Sequence, residues 1–130
     1  MKSHRGLPLL ALVCLLALAT SASAESTAEM LTACKSLAES KVTSGQVLFL
    51  HDYPSGICWG AFSALQRVIV LADTDTRPIF NACAPEKSTR TQLIAVFVEY
   101  ARRTPQRLHE EFFDVAIDAL KGAFPCQPRR

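Results

Sequence analysis

Four cysteines are the residues best suited to chemistry, and their spacing limits what that chemistry can be. Cys34, Cys58, Cys83 and Cys126 are separated by gaps of 24, 25 and 43 residues. A zinc site usually needs close pairs such as Cys-x-x-Cys, and these gaps provide none. An even number of cysteines in an exported domain of this size predicts two structural disulfides and no bound metal.

Histidine does not change this interpretation. Apart from His4 near the amino terminus, the chain has His51 and His109. Either could activate a cysteine nucleophile, with Asp52 orienting the imidazole, but only if a thiol remained free. Disulfide formation removes the thiols. No serine-hydrolase, zinc-protease or phosphate-binding motif occurs in the sequence. We therefore predict a binding protein rather than an enzyme, and no cofactor.

A group of carboxylates could supply the paired acids of a glycoside hydrolase. The residues concerned are Glu110, Glu111, Asp114 and Asp118. They also fit the solvent face of an amphipathic helix with ion pairs such as Arg107–Glu111. The second interpretation is favoured, because neighbouring basic residues at helical spacing are typical of a solvated face.

The first 24 residues have the composition of a secretory signal. Lys2 and Arg5 precede the apolar run Leu7–Ala19, and Ala22-Ser23-Ala24 provides the small residues that signal peptidase requires. We expect residues 1–24 to be removed and residues 25–130 to form one domain in an oxidising, periplasmic compartment. The apolar run is too short for a comfortable membrane span, so no stable membrane anchor is expected.

The charge balance argues against a nucleic-acid partner. The chain has 14 basic and 12 acidic residues, and Lys2 and Arg5 account for the excess. The exported part is thus close to neutral. Proteins that bind nucleic acids or membrane surfaces through charge need a basic excess.

Hydrophobic periodicity predicts four helices. The first covers Glu25–Lys41 and the second Ile57–Ala72. The third begins after a cap at Ser88 or Thr89, and the fourth runs from Pro105 to about Phe124. The second helix is apolar nearly all round, which is typical of the most buried helix in a bundle. We predict a small all-α, disulfide-stapled four-helix bundle after an N-terminal signal peptide.

Local signals place the ends of these helices. Gln92 stands three residues after Thr89, as a capping box requires. Thr104-Pro105 resembles an N-cap followed by proline at the first helical position. The segment His51–Gly56 contains turn-forming residues, so we expect a turn before the second helix.

The predicted bundle favours one disulfide pairing among the three that four cysteines allow. Cys34 in the first helix and Cys58 at the start of the second could meet in an antiparallel hairpin. Cys83 precedes the third helix and Cys126 follows the fourth, which places them at one end of an up-down bundle. Cys34–Cys58 with Cys83–Cys126 is therefore preferred.

Several blocks of sequence resemble the Rap/Tai immunity-protein family of Gram-negative bacteria. They are Leu31-Thr32-Ala33-Cys34, Cys58-Trp59-Gly60, Cys83-Ala84-Pro85, Thr104-Pro105-Gln106-Arg107-Leu108-His109, and the stretch from Ala119 to Cys126 that ends in Ala-Phe-Pro-Cys. The resemblance extends over nearly all of residues 25–130 and keeps the order of the cysteines.

This resemblance implies a function. Members of the immunity class are periplasmic helical proteins, often homodimers, that bind and block peptidoglycan-cleaving amidase effectors delivered by type VI secretion. An effector amidase is therefore the expected partner, bound by occlusion of its cleft. The alternative is a periplasmic stress or chaperone-like helical protein with no toxin partner, although the chain lacks the high acidic content that acid-triggered exposure of apolar surface would need.

Partner specificity is expected in the two connectors between helices. In the first, Val42–Gly56, we expect Asp52 and Tyr53 to be exposed beside His51, and Val47 and Leu50 to be buried. In the second, Asp73–Lys87, we choose Asp75 and Arg77. Apolar and aromatic residues on connectors are either buried under the bundle or available to a partner. Trp59, the only tryptophan, fits a core position and an interface anchor equally well.

Overall fold

The computed structural model describes residues 25–40, 42–43, 46–47, 52–74 and 77–127. Within these ranges the protein is an all-α, four-helix fold with two disulfides, as predicted from the sequence. The helices are α1 (Thr27–Ala38), α2 (Tyr53–Ala72), α3 (Arg90–Arg103) and α4 (Phe112–Ala123), with a short 3-10 helix at Pro105–Arg107. The expected signal peptide, residues 1–24, lies outside the described residues.

Two very short pairs of antiparallel strands lie in the connectors before and after α2. β1 (Val42–Thr43) pairs with β2 (Gln46–Val47) between α1 and α2. β3 (Asp73–Thr74) pairs with β4 (Arg77–Pro78) directly after α2. With two residues in each strand, these hairpins only turn the chain and form no separate sheet layer.

Capping side chains start α1 and α3. Ser26 and Glu29 form a capping box in which the Glu29 carboxylate accepts hydrogen bonds from the Ser26 amide at 2.8 Å and its hydroxyl at 2.7 Å. Thr89 and Gln92 form the capping box predicted for α3. Such boxes satisfy amide groups that have no partner inside the helix, and they are readable from local sequence.

The predicted turn at His51–Gly56 is wrong from Tyr53 onward, because α2 begins there. Asp52 is the N-cap, and its carboxylate accepts a hydrogen bond from the Ser55 amide at 2.8 Å. Pro54 lies in the first turn, where a missing amide proton costs nothing. The same residue types that form turns therefore serve here as a helix start.

The predicted start of the last helix at Pro105 is also wrong. The chain makes a 3-10 turn and then an irregular segment, and α4 begins only at Phe112. The Leu108 and Glu110 carbonyl oxygens accept hydrogen bonds from the Ala28 and Thr27 amides at 2.9 Å, at the start of α1. These long-range bonds replace the helical bonds of the segment.

Thr104 does not cap the last helix. Its hydroxyl donates to the Tyr100 carbonyl at 2.8 Å and so closes the end of α3. The residue preceding α4, Glu111, makes no side-chain capping bond. Local sequence signals at Thr104-Pro105 therefore mark the end of one helix and a tight turn, but not the start of the next helix.

The core lies where α3 packs against the other three helices. Phe62 from α2, Phe97 from α3 and Phe112 from α4 form a triangle of rings with centroids 5.2–5.7 Å apart. Leu93 and Phe97 of the predicted α3 stripe are buried, whereas Val96 and Tyr100 are half-buried. The expectation that α2 is the most buried helix is wrong, because one of its sides faces solvent.

Two disulfides brace the bundle in the pairing that the sequence favoured. Cys34–Cys58 joins α1 to α2 in the buried core. Cys83–Cys126 joins the segment before α3 to the segment after α4. Beside this second bridge, the Cys83 amide donates to the Phe124 carbonyl at 2.7 Å, so the end of the described chain is held against the bundle.

Candidate partner-binding surface

The described residues bring together no catalytic or metal-binding group. All four cysteines of the described ranges are in disulfides, and no cluster of three or more metal-ligating side chains occurs there. His109 is exposed, and His51 lies outside the described residues. A thiolate nucleophile is therefore not present in the described oxidised form.

Two of the four carboxylates near α4, Glu110 and Asp118, belong to a structural network centred on Arg107. Its guanidinium donates to Glu110 at 2.6 and 2.9 Å, to Asp118 at 2.8 Å and to the Tyr100 hydroxyl at 2.9 Å. The expected Arg107–Glu111 pair is not formed, because the irregular segment before α4 turns Glu110 toward Arg107 instead.

This network favours the charged forms of Arg107 and Glu110. The hydrogen bond from Arg107 lowers the pKa of the Glu110 carboxyl, and the bonds to Glu110 and Asp118 raise the pKa of Arg107. Glu110 is ionised at neutral pH and cannot act as a general acid. The network stabilises the α3–α4 connection. Its carboxylates therefore have a structural role and are not a pair of catalytic acids.

Asp52 and Tyr53, two of the predicted partner residues, are exposed at the start of α2. The Tyr53 side chain is 81% exposed, so its ring contributes little to the core. The hydrogen bond from the Ser55 amide lowers the pKa of Asp52, which is therefore ionised at neutral pH. Asp52 thus has a structural role in capping α2 as well as a position open to a partner.

The other two predicted partner residues lie in or beside the hairpin after α2. Asp75 is outside the described residues, and for Arg77 only the backbone is described, paired with Thr74. The expected burial of Val47 and Leu50 likewise concerns side chains outside the described set.

Asp73 organises the return of the chain from this hairpin. Its carboxylate accepts hydrogen bonds from the amides of Phe80, Asn81 and Ala82 at 2.6, 3.1 and 2.9 Å. Asn81 has a φ of 58°, a left-handed conformation that asparagine tolerates. This role of Asp73 was not predicted, because no local sequence pattern indicates that residues 80–82 bind residue 73.

The three predicted partner residues that the structure describes therefore lie at opposite ends of α2, with Asp52 and Tyr53 at one end and the Arg77 backbone at the other. A helix of 20 residues is about 30 Å long at 1.5 Å per residue. Asp52 and Tyr53 lie at one end of this length, and the β3–β4 hairpin lies at the other. One partner could touch both groups only by lying along the whole of α2.

An exposed apolar surface at the carboxyl end of α2 was also missed. Exposed fractions are 39% for Val68, 69% for Val70, 79% for Leu71 and, after the hairpin, 72% for Ile79. Ile79 is held near the end of α2 because Asp73 binds the adjacent Phe80 amide. We call Arg67, Val68, Val70, Leu71 and Ile79 the α2 tip.

A signal for this surface was present in the sequence. α2 uses one stripe, Cys58, Phe62, Leu65 and Ile69, to fill the core. Its remaining apolar residues exceed what one stripe of a soluble helix requires. In a domain this small, too few elements surround a helix to cover a second apolar stripe.

The same composition makes α2 the one helix of the described part that is long and apolar enough to cross a membrane. Core helices of soluble proteins pass this test as well. α2 is bridged to α1 through Cys58 and buries Phe62 and Leu65. The side of α2 that carries these residues is therefore packed inside the bundle.

Trp59 packs beside the core, which is one of the two positions considered for it. The residue is half-buried beside the core, and the Arg90 guanidinium lies 4.3 Å from the centre of its ring. This cation–π contact joins α2 to the first turn of α3.

A second apolar surface is an open groove of about 470 Å³ between α3 and α4. It is lined by Ala95, Val96, Tyr100, Ala119, Gly122 and Ala123, with Glu99 and Arg103 at its edge. Those two charged groups are already paired with each other at 2.6 Å. The groove is shallow, whereas the α2 tip protrudes.

Comparison with known proteins gives one match. A family model described as Rap1a immunity proteins matches residues 26–126, a range that contains all four helices and both disulfides. No curated protein and no solved structure matches the chain.

Proposed function

Because the chain belongs to the Rap1a immunity protein family, we propose that it is a periplasmic immunity protein that binds and occludes a peptidoglycan-cleaving amidase effector delivered by type VI secretion. Membership supports an immunity role and the binding of an effector protein. The identity of the effector as an amidase and the periplasmic site belong to the proposal.

The observation that carries the proposal is the family match across the whole four-helix domain. The absence of a free thiol or a metal cluster in the described ranges agrees with it. Inhibition by occlusion needs no chemistry from the inhibitor. It needs a rigid surface that fits the cleft of the enzyme, because a preorganised surface loses little conformational entropy on binding.

The disulfides and the proposed target support a periplasmic location. Disulfides persist in oxidising compartments such as the bacterial periplasm. Peptidoglycan lies in the same compartment, so protection must act there. We propose that residues 1–24 direct export and are then removed.

The partner-binding roles of Asp52, Tyr53, Asp75 and Arg77 stay predictions. The exposure of Asp52 and Tyr53 supports two of them. The expected homodimer rests on the family resemblance, and sedimentation velocity of the purified domain over a range of concentrations tests it.

The proposal predicts that an amidase is encoded beside the gene of this protein, and the function is tested with that amidase after purification. Purified amidase should release fewer soluble fragments from peptidoglycan as the protein is added. Inhibition should be complete when about one binding site of the protein is present for each amidase molecule. A muramidase that cleaves the glycan strands of the same substrate serves as the control and should be unaffected. Undiminished amidase activity in a tenfold excess of the protein contradicts the proposal.

The location is tested in cells that export the amidase to the periplasm. The full chain should restore growth, whereas a chain lacking residues 2–24 should not. Equal protection by both chains contradicts a periplasmic site of action.

A further inference from the structure

We infer that the α2 tip is the part of the protein that enters the groove of the effector, and that this groove is apolar with a carboxylate on its wall. This inference rests on the proposed function and names the surface that performs it. The tip is distinct from Asp52 and Tyr53, which lie at the far end of α2.

The first support is the shape of the tip. Successive residues of an α-helix are about 100° apart, so Val70, Leu71 and Val68 cover an arc of about 160°. All three are exposed, while Ile69 faces the core at 5% exposure. Nearly half of the circumference of α2 is therefore exposed to solvent at this end. The exposed side chains form a ridge and not a flat face.

The second support is how firmly the ridge is held. Two turns before the tip, Phe62 packs against Phe97 and Phe112. At the carboxyl end, the Asp73 amide donates to the Ile69 carbonyl, and the Asp73 carboxylate binds the chain that returns from the hairpin. A ridge fixed at both ends can be inserted into a groove with little loss of entropy.

The area of α2 argues against a second copy of the protein as the occupant. Two α2 helices lying side by side would share a strip about 30 Å long and 10–12 Å wide, or about 300–360 Å² on each copy. A specific, stable interface needs about 800 Å² on each partner. A groove that surrounds the ridge and also covers Ile79 buries more of each residue, as in the helix-in-groove mode of recognition.

Charge defines the chemistry of the groove. Arg67 is the only charged residue among the 20 residues of α2, it is exposed, and it has no ion-pair partner among the described residues. A carboxylate on the groove wall would pair with it at the edge of the apolar contact. A lipid surface is disfavoured, because helices that lie in the membrane interface carry several basic residues on their polar face.

Single substitutions test the inference with the purified amidase used above. Leu71→Asp and Val70→Asp place a charge on the ridge, and Thr32→Asp, the control, places the same charge at an exposed position of α1. At least a 30-fold rise in Kd is expected for Leu71→Asp or Val70→Asp, the size of an interface hot spot. Less than a threefold rise is expected for Thr32→Asp, because Thr32 belongs neither to the α2 tip nor to the predicted partner residues.

The controls keep folding and binding apart. All three side chains are exposed, so circular dichroism spectra and melting temperatures should match the wild type. Arg67→Gln should weaken the dependence of Kd on salt concentration, since that dependence reports a charge pair at the surface. A salt dependence equal to that of the wild type overturns the carboxylate on the groove wall.

The remaining outcomes separate this inference from the proposed function. If the wild type inhibits the amidase and the two ridge variants bind equally well, the inference is wrong and the function stands. If the wild type itself does not inhibit, the proposed function fails. Two results overturn the inference in favour of another occupant: a dimer that Leu71→Asp converts to a monomer, and binding to phosphatidylglycerol vesicles that Leu71→Asp abolishes.

Discussion

Removal of each disulfide should destabilise the protein by an amount that depends on loop length and on burial. We compare the double variant Cys83→Ala/Cys126→Ala with Cys34→Ala/Cys58→Ala. The bridges close loops of 43 and 24 residues. The loss of conformational entropy in the unfolded chain then corresponds to about 4 kcal/mol for the longer loop and about 3.5 kcal/mol for the shorter.

Burial should reverse this order. Cys34 and Cys58 are completely buried, so replacing them also removes packed sulfur atoms and leaves a small cavity, at an additional cost of roughly 1–2 kcal/mol. Cys83 and Cys126 are half-exposed, and solvent can fill the space that they leave. The bridge with the shorter loop should therefore cost more, about 5 kcal/mol against about 4 kcal/mol.

Urea unfolding followed by circular dichroism at 222 nm measures both differences. Small domains are stable by about 5–15 kcal/mol, so a loss of about 4–5 kcal/mol should strongly lower the midpoint of either variant, and the loss of both bridges should leave the reduced wild type marginal or unfolded at 25 °C. This would restrict the active form to an oxidising compartment. A loss below about 1 kcal/mol for the Cys83–Cys126 variant, or a smaller loss for the buried bridge than for the exposed one, would refute the reasoning.

Three further predictions concern stability. Hydrogen bonds from Ser26, Ser55 and Arg107 lower the pKa values of Glu29, Asp52 and Glu110, respectively. The melting temperature should therefore be constant near neutral pH. It should fall as the pH drops below the ordinary pKa values of glutamate, 4.5, and aspartate, 3.8. A melting temperature that rises in acid would contradict this. Phe62→Ala should lower the free energy of unfolding by about 3–5 kcal/mol in urea titrations, because it removes a buried ring from the aromatic triangle; Phe62→Leu, as control, should cost much less. Gly60→Ala should raise the thermal midpoint, by up to about 1 kcal/mol of stability, because an added Cβ there meets nothing within 4 Å; a lower midpoint would mean that the glycine is required.

The sequence by itself determined the number of the helices. The ends of α1 were predicted to within three residues from its amphipathic pattern, and the start of α3 was predicted from its capping box, because both signals depend on residues within one turn of each other. The disulfide pairing could also be inferred, since it follows from which helix ends meet in an antiparallel bundle.

Tertiary structure alone decided where α4 begins and which part of α2 is exposed. Backbone bonds from residues 27 and 28 to residues 108 and 110 replace helical bonds around His109, and nothing near residue 105 in the sequence announces them. The apolar pattern of α2 shows that the helix can be buried on every side. Whether it is buried depends on the neighbours that the fold supplies, and the described residues leave Val70 and Leu71 69% and 79% exposed.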